Sequence, residues 1–204
     1  MRAEKKFIDP NIKNKSKTVE DKIQLFRFNG KNLPLPTEIE ISESGTCNRT
    51  CSFCPRSASS FIDKKEFITN TLHEKLCAEL KELNYKGTIR YSGFVEPMLD
   101  KNIFNLINMA RNYLPECNIE MVTNGDPLNL KRLKNLFESG LNKILISAYD
   151  GKEESQKLED LCVSAGLGEK QYIVRHRYYS EDQDFGITLS NGSGLMTDAE
   201  FKID

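Results

Sequence analysis

The sequence predicts an α/β fold with a parallel β-sheet, and three observations lead to this prediction. From Thr37 onward, short segments with strand-like patterns alternate with segments whose apolar residues have helical spacing. These units recur roughly every 25 to 30 residues, as expected for βα repeats. With 204 residues, of which 38% are hydrophobic and 29% charged, the chain has the composition of a globular protein with one sizeable domain.

Five strands and four helices follow from this pattern. Strands are predicted over residues 38–42, 88–92, 119–123, 143–149 and 172–175. Each intervening helix has an apolar face, and the four faces consist of Leu72, Leu76, Leu80 and Leu83; Ile103, Leu106, Ile107 and Ala110; Leu130, Leu133, Leu136 and Phe137; and Leu158, Leu161 and Cys162. We expect residues 1–36 to form an N-terminal arm, 37–180 the core, and 181–204 a tail or the start of a truncated second domain.

Composition argues against two classes of protein. No apolar run reaches the length of a membrane span. The formal net charge of −1 gives no sign of a nucleic-acid-binding surface, which normally shows a basic excess. The charged N-terminal segment lacks the apolar core of a signal peptide, so we expect a cytoplasmic protein whose six cysteines are reduced.

Three cysteines, Cys47, Cys51 and Cys54, follow the first predicted strand with the spacing C-x3-C-x2-C and an aromatic residue before the third. Structural zinc sites and ferredoxin-type clusters take four protein ligands, so three thiolates indicate a centre with one open position. Three alternatives stay open at this point. Two cysteines can pair as a disulfide, His73 or His176 can complete a zinc site, or the loop is inert.

Later strands carry further candidates at their carboxyl ends, which in a parallel sheet share one edge where ligands bind. After the second strand, Gly93 permits close backbone approach to a ligand, and Glu96 offers an acceptor to a cationic ammonium group. An ordinary strand-ending turn is the alternative explanation. The remaining candidates at the ends of the third, fourth and fifth strands are Thr123, Asn124, Ser147 and Arg175. We expect the Arg175 guanidinium to meet a cofactor or substrate carboxylate, and His176 to face outwards or to pair with the acidic run after Ser180.

The cysteine spacing resembles the cluster motif of the radical S-adenosylmethionine (radical SAM) superfamily. This resemblance implies that Cys47, Cys51 and Cys54 bind three irons of a [4Fe-4S] cluster. The amino and carboxylate groups of S-adenosylmethionine would then chelate the fourth iron. The resemblance also implies a partial (βα) TIM-like barrel, here incomplete, with about five to six parallel strands.

The turns extend the resemblance. The turn after the second strand is similar to the GGEP motif that holds the amino group of S-adenosylmethionine, and it consists of Gly93, Phe94, Val95, Glu96 and Pro97. Phe94 and Val95 depart from the motif, because the family often has glycines there. Thr123 and Asn124 resemble a Thr-Asn-Gly turn found near the cofactor. Ser147 matches a polar contact to the cofactor's ribose or carboxylate, with a satisfied barrel hydroxyl as the alternative.

Residues 54–56, 93–99 and 189–194 resemble radical SAM proteins that continue into a SPASM domain. Such proteins usually carry a second set of cysteines for an auxiliary cluster. Here Cys77, Cys117 and Cys162 lie on separate elements, and Cys77 is predicted to be a core residue. We therefore predict no second cluster. The chain is expected to be either a pared-down member of this group or a truncated or split protein whose missing C-terminal part comes from a partner chain.

The resemblance implies an enzyme that reductively cleaves S-adenosylmethionine to a 5′-deoxyadenosyl radical, which abstracts hydrogen from an unknown small-molecule or peptide substrate. It implies a one-electron donor such as flavodoxin or ferredoxin, and no catalytic residue beyond the cluster ligands. Two alternatives remain. One is an activase for a glycyl-radical enzyme, and the other is a non-catalytic fragment that binds an iron–sulfur cluster or zinc.

Overall fold

The computed structural model describes residues 23–51 and 54–178, in which a five-stranded parallel sheet follows a two-stranded hairpin. The hairpin consists of β1 (Leu25–Phe28) and β2 (Lys31–Pro34). The sheet consists of β3 (Glu38–Ile41), β4 (Thr88–Tyr91), β5 (Asn118–Thr123), β6 (Lys143–Ala148) and β7 (Tyr172–His176). The connecting helices are α1 (Asn70–Glu82), α2 (Ile103–Tyr113), α3 (Leu130–Glu138) and α4 (Lys152–Ser164). This topology confirms the predicted α/β fold, and strands that pair in chain order are the arrangement of a partial (βα) barrel.

The two faces of the sheet differ in chemistry because successive side chains of a strand point in opposite directions. One face packs against the helices and is apolar, with fully buried side chains at Ile89, Ile119, Met121, Ile144 and Ile146. On the opposite face the Arg90 guanidinium lies 2.6 Å from the carboxylates of both Glu38 and Glu120. The helix-facing layer therefore supplies the core, and the other face is polar.

Helix α1 packs on the core through a face that overlaps the predicted one, with Leu80 buried and Leu76 and Leu83 partly buried against the core. Its buried residues are His73, Cys77 and Leu80, whereas the side chain of Leu72 is 56% exposed. The ring nitrogen Nε2 of His73 lies 2.8 Å from the Tyr91 hydroxyl, which satisfies the buried imidazole. The predicted face was wrong at Leu72, because a polar residue with a partner occupies a core position. Cys77 is confirmed as a core residue.

The described part of the predicted arm forms the β1–β2 hairpin, whose strands the sequence did not predict. Its turn at Asn29 and Gly30 has φ angles of 49° and 74°, both positive as in a type I′ turn. Phe26 packs against the core, and Leu35 is buried directly after β2. The boundary after residue 36 stays a prediction. Residues 179–204, with the predicted tail and the 189–194 motif, lie outside the described residues.

None of the helices within residues 23–51 and 54–178 combines the length and the apolar character that crossing a bilayer requires.

Candidate functional site

An open pocket of about 510 Å³, which includes space open to solvent, lies at the carboxyl ends of β3 to β6. The loops after the strands form its walls. It is lined by Cys47, Arg49, Cys51, Cys54, Arg56, Gly93, Phe94, Val95, Glu96, Val122, Thr123, Asn124, Ser147 and Tyr149. All but two of the sequence-predicted site residues line this pocket, the exceptions being Pro97 and Arg175.

The three cysteines of the motif are half-buried free thiols in the loop after β3. Backbone bonds shape the end of this loop, where the Cys54 N–H donates to the Cys51 carbonyl at 2.9 Å. Burial raises the pKa of the Cys51 and Cys54 thiols, and the neighbouring thiols act in the same direction. A bound metal centre favours the deprotonated form and so offsets this effect.

The donor set consists of three thiols, which are ligands for both zinc and iron–sulfur clusters. Within residues 23–51 and 54–178, no three His, Cys, Asp or Glu side chains are grouped as ligands of one metal ion. Zinc needs its thiolates about 2.3 Å from a common point, whereas each thiolate of an iron–sulfur cluster binds its own iron. Cys47, Cys51 and Cys54 line one pocket, which is compatible with a shared cluster.

Neither histidine lines the pocket, so the zinc alternative lacks its expected fourth ligand. His73 lies in the core with one ring nitrogen at the Tyr91 hydroxyl and the other 3.4 Å from the Met109 sulfur. His176, on β7, lies 3.5 Å from the Glu159 carboxylate. His176 was expected to face outwards or to pair with the acidic run after Ser180, and this acidic run lies outside the described residues.

The turn after β4 requires a glycine at its first position. Gly93 has a φ of 124°, and a Cβ atom there would collide with the Ser42 hydroxyl oxygen. Arg56, next to the cysteine loop, donates to the Phe94 carbonyl at 3.1 Å and so fixes the turn from the other side. Phe94 is 52% exposed at the pocket, and buried Pro97 begins a short 3-10 helix behind it.

Glu96 joins this turn to the tip of β5. Its side chain is 1% exposed. Oε1 accepts from the Met98 N–H at 3.0 Å and the Thr123 hydroxyl at 2.6 Å, and Oε2 accepts from the Asn124 N–H at 2.7 Å. Burial raises the pKa of Glu96, while these donors lower it. A carboxylate has about four acceptor positions, so one position is left for a ligand, and the predicted contact to an ammonium group stays a prediction.

The remaining predicted site residues lie at the carboxyl ends of β5, β6 and β7. The Asn124 amide donates to the Cys47 sulfur at 3.9 Å and thus links the predicted turn to the cysteine loop. Ser147 lines the pocket and accepts from the Arg175 guanidinium at 2.7 Å. Arg175 therefore lies behind Ser147 rather than on the pocket wall, and its predicted contact with a cofactor or substrate carboxylate stays a prediction.

Sequence reasoning missed four pocket residues, namely Arg49, Arg56, Val122 and Tyr149. The Arg49 guanidinium lies over the Tyr149 ring, 5.4 Å from its centroid. The position of Val122 could have been predicted from the alternation of side chains along β5, which puts its side chain on the polar face of the sheet. The position of Arg49 inside the C-x3-C segment could have marked it as a pocket residue, but its acidic partners after two later strands could not be identified from the sequence.

Comparison with known proteins gives one consistent result. The family model described as Radical SAM superfamily matches residues 41–176, about two thirds of the chain. The chain is 31% identical over 159 residues to the S-adenosyl-L-methionine-dependent 2-deoxy-scyllo-inosamine dehydrogenase of Niallia circulans, covering 78% of this chain and 60% of that protein. It is 29% identical over 122 residues to a probable GTP 3′,8-cyclase of Thermococcus kodakarensis, covering 59% of this chain and 38% of that protein.

Solved structures agree with this result. The crystal structure of BtrN in complex with AdoMet and 2-DOIA matches with a TM-score of 0.65 and 28% identity, over 79% of this chain and 62% of that one. The structure of tagged anSMEcpe with bound AdoMet matches with a TM-score of 0.51 and 17% identity, over 67% and 41%, and supports the fold alone. The chain spans less than two thirds of the length of each of these proteins.

Proposed function

The chain belongs to the radical SAM superfamily, and from this premise we propose that it binds a [4Fe-4S] cluster and S-adenosylmethionine and reductively cleaves the latter. In this proposal Cys47, Cys51 and Cys54 bind three irons of the cluster. When bound, the cluster would supply the electron that breaks a carbon–sulfur bond of S-adenosylmethionine, with methionine as the leaving group and a 5′-deoxyadenosyl radical as the species that takes a hydrogen atom from substrate.

One observation carries the proposal. Three free thiols line the same pocket as the turn after β4 and the tips of β5 and β6, although these segments are far apart in the chain. Thiolates with no fourth protein ligand leave one metal position open, and the surrounding turns offer polar groups to an amino-acid ligand at that position.

The protein's own residues position the reactants and limit access of water. Gly93 brings backbone close to the ligand, and the remaining acceptor position of Glu96 suits the amino group of S-adenosylmethionine. Ser147 is held by Arg175 and contacts the polar part of the cofactor. Phe94 and Val95 add apolar surface at the pocket wall, which helps to exclude water from a reactive centre.

We further propose a small-molecule substrate. The two relatives reported above are named for reactions on an inosamine and on GTP, which are both small polar molecules. The electron comes from a one-electron donor such as flavodoxin or ferredoxin.

The test is anaerobic reconstitution with iron and sulfide, followed by dithionite and S-adenosylmethionine and mass spectrometry for 5′-deoxyadenosine. We expect the wild type to bind about four irons and to form product, and Cys51→Ala to lose both. Cys162→Ala, which removes a fully buried thiol of α4, is the matched control and should keep both. Zinc without iron in the wild type, or equal product from Cys51→Ala, would contradict the proposal.

A further inference from the structure

Arg49 lies inside the cysteine motif and binds three carboxylates from outside the loop. Its Nε donates to Asp126 Oδ2 at 2.7 Å, and its two terminal nitrogens donate to the Asp150 carboxylate at 2.9 and 2.8 Å. One of these nitrogens also lies 3.1 Å from the Glu154 carboxylate. A guanidinium offers five donors in a rigid fork, so one side chain can serve all three acids.

The acids come from two different strand ends. Asp126 follows β5, whereas Asp150 follows β6 and Glu154 lies in the first turn of α4. Glu154 is itself fixed, because its Oε2 accepts from the Tyr149 and Asp150 N–H groups at 2.6 and 2.7 Å. Arg49 thus ties the cysteine loop to the tips of β5 and β6 together.

Asn48, the neighbour of Arg49, adds two bonds to the same contact. Its amide donates to Asp126 at 2.7 Å and accepts from Asn124 at 2.7 Å. We call this group the loop clamp, and it comprises Asn48, Arg49, Asn124, Asp126, Asp150 and Glu154.

Charge makes Arg49 indispensable to this arrangement. The Arg49 side chain is only 17% exposed, and it is the cation among three carboxylates. The Arg49 guanidinium holds the pKa of Asp126 below its usual range. Without Arg49 the acids would repel one another and any thiolates in the adjacent loop, and the loop would lose its closest contacts to the sheet.

The loop clamp also touches a cysteine sulfur directly. The Arg49 backbone N–H donates to the Cys47 sulfur at 3.4 Å, and the Asn124 amide donates to the same sulfur at 3.9 Å. Hydrogen bonds to ligand sulfurs and nearby charge are two of the factors that set the potential of an iron–sulfur cluster. An ion pair elsewhere on the surface has no such contact.

We propose that Arg49 is a positioning residue that holds the cysteine loop against the tips of β5 and β6, and that its charge raises the reduction potential of the cluster. This inference rests on the proposed function, because it concerns the cluster that Cys47, Cys51 and Cys54 would bind. The loop contact itself is independent of the cluster, and this allows the two to be tested separately.

The first measurement is a redox titration of the reconstituted full chain, followed by electron paramagnetic resonance. Arg49→Gln removes a positive charge and should shift the midpoint potential to more negative values. Asp150→Asn removes a negative charge from the same group and should shift it to more positive values. Arg49→Lys keeps the charge and should keep the potential near that of the wild type.

The second measurement is hydrogen exchange of residues 47–51 in the full chain before reconstitution. Arg49→Gln and Arg49→Lys should both exchange about tenfold faster than the wild type, because an ammonium group cannot replace the fork. Lys86→Gln is the control, since it removes an exposed ion pair with Glu116 outside the pocket, and it should change neither the potential nor the exchange.

The outcomes separate this inference from the proposed function. Suppose that the wild type binds iron. The inference is overturned, and the proposed function stands, if Arg49→Gln and Asp150→Asn have the midpoint potential of the wild type. The same holds if hydrogen exchange of residues 47–51 is unchanged in both Arg49 variants. If the wild type binds no iron, the proposed function fails, and the exchange data alone decide whether Arg49 holds the loop. Should Arg49→Gln fail to fold, the opposite shift of Asp150→Asn and the exchange of Arg49→Lys carry the test.

Discussion

Two contacts hold the loops around the pocket, and they use opposite physical means. At Glu96 a single carboxylate, 1% exposed, accepts three hydrogen bonds and joins the turn after β4 to the tip of β5. At the loop clamp a single guanidinium binds three acids that remain in contact with water, including Asp150 with a side chain 64% exposed. The Glu96 contact is a buried carboxylate with neutral hydrogen-bond donors. The loop clamp is a network of ion pairs that is partly exposed to water.

The difference teaches which contact serves stability and which can be adjusted. Donors around a buried carboxylate become costly when that group is removed, because water does not replace it. An ion pair with a mostly exposed partner, such as Asp150, contributes little to folding, typically about 0–1 kcal/mol, but its charge still acts on a nearby metal centre. We therefore expect the Glu96 contact to contribute more to the free energy of unfolding than the loop clamp does. The loop clamp should act mainly on the reduction potential of the proposed cluster.

The largest expected effect is at the Glu96 contact. Glu96→Ala removes the acceptor of the Met98 and Asn124 N–H groups and should lower the free energy of unfolding by about 3 kcal/mol. Urea denaturation monitored by circular dichroism measures this loss. Glu82→Ala, at an exposed position of α1, should stay within about 0.5 kcal/mol of the wild type. A loss at Glu96 no larger than that at Glu82 would show that the Glu96 contact carries no stability.

A second buried carboxylate, Glu43, sharpens the comparison because it lacks donors. It is 1% exposed, and neither oxygen has a hydrogen-bond partner of normal geometry among the residues that the structure describes. Burial raises its pKa to about 8, and the carboxylates of Asp100 and Glu96 act in the same direction. The folded state therefore holds a proton on Glu43 that the unfolded state releases above a pH of about 4.5.

The stability that this proton gives is fully present below pH 4.5 and is lost as the pH rises towards 8. Glu43→Gln removes the titration, so at pH 7 its free energy of unfolding should exceed that of the wild type by roughly 3 kcal/mol. The difference should shrink steadily as the pH falls to 4.5, in urea denaturations at several pH values. A constant difference across this range would mean that Glu43 is charged in the folded protein.

The smallest expected effects are within the loop clamp. Asp126→Asn should lower the free energy of unfolding by about 1 kcal/mol, because Asp126 is two-thirds buried and accepts from both Asn48 and Arg49. Asp150→Asn should cost less than about 0.5 kcal/mol, since its side chain is mostly exposed. Thermal denaturation at low and high salt distinguishes the two. A larger loss for Asp150→Asn would reverse the order that burial predicts.

The sequence predicted the sheet well because each strand of a parallel sheet has a local pattern and its carboxyl end has a fixed edge. That rule alone brought Cys47, Glu96, Asn124 and Ser147 to one pocket from four separate loops. The motif resemblance then assigned chemistry to them. Neither step required knowledge of long-range side-chain contacts.

The features that the sequence did not predict depend on such contacts. Arg49 meets Asp126 and Asp150 across 77 and 101 residues, and no local pattern records that pairing. His73 is polar, so the search for apolar spacing left it out of the core, where its partner Tyr91 lies on another element. The contact of Glu96 with the cofactor stays a prediction, but the three hydrogen bonds that Glu96 accepts within the protein were not predicted.

The most direct test of the account is the electron paramagnetic resonance spectrum of the reconstituted, dithionite-reduced chain, recorded before and after addition of S-adenosylmethionine. In the proposed function, three cysteine ligands would leave one iron open to the added molecule. We therefore expect a reduced cluster signal in the wild type that changes when S-adenosylmethionine is added. A cluster signal that stays the same would contradict the open iron position, and the absence of any cluster signal would contradict the assignment of Cys47, Cys51 and Cys54 as its ligands.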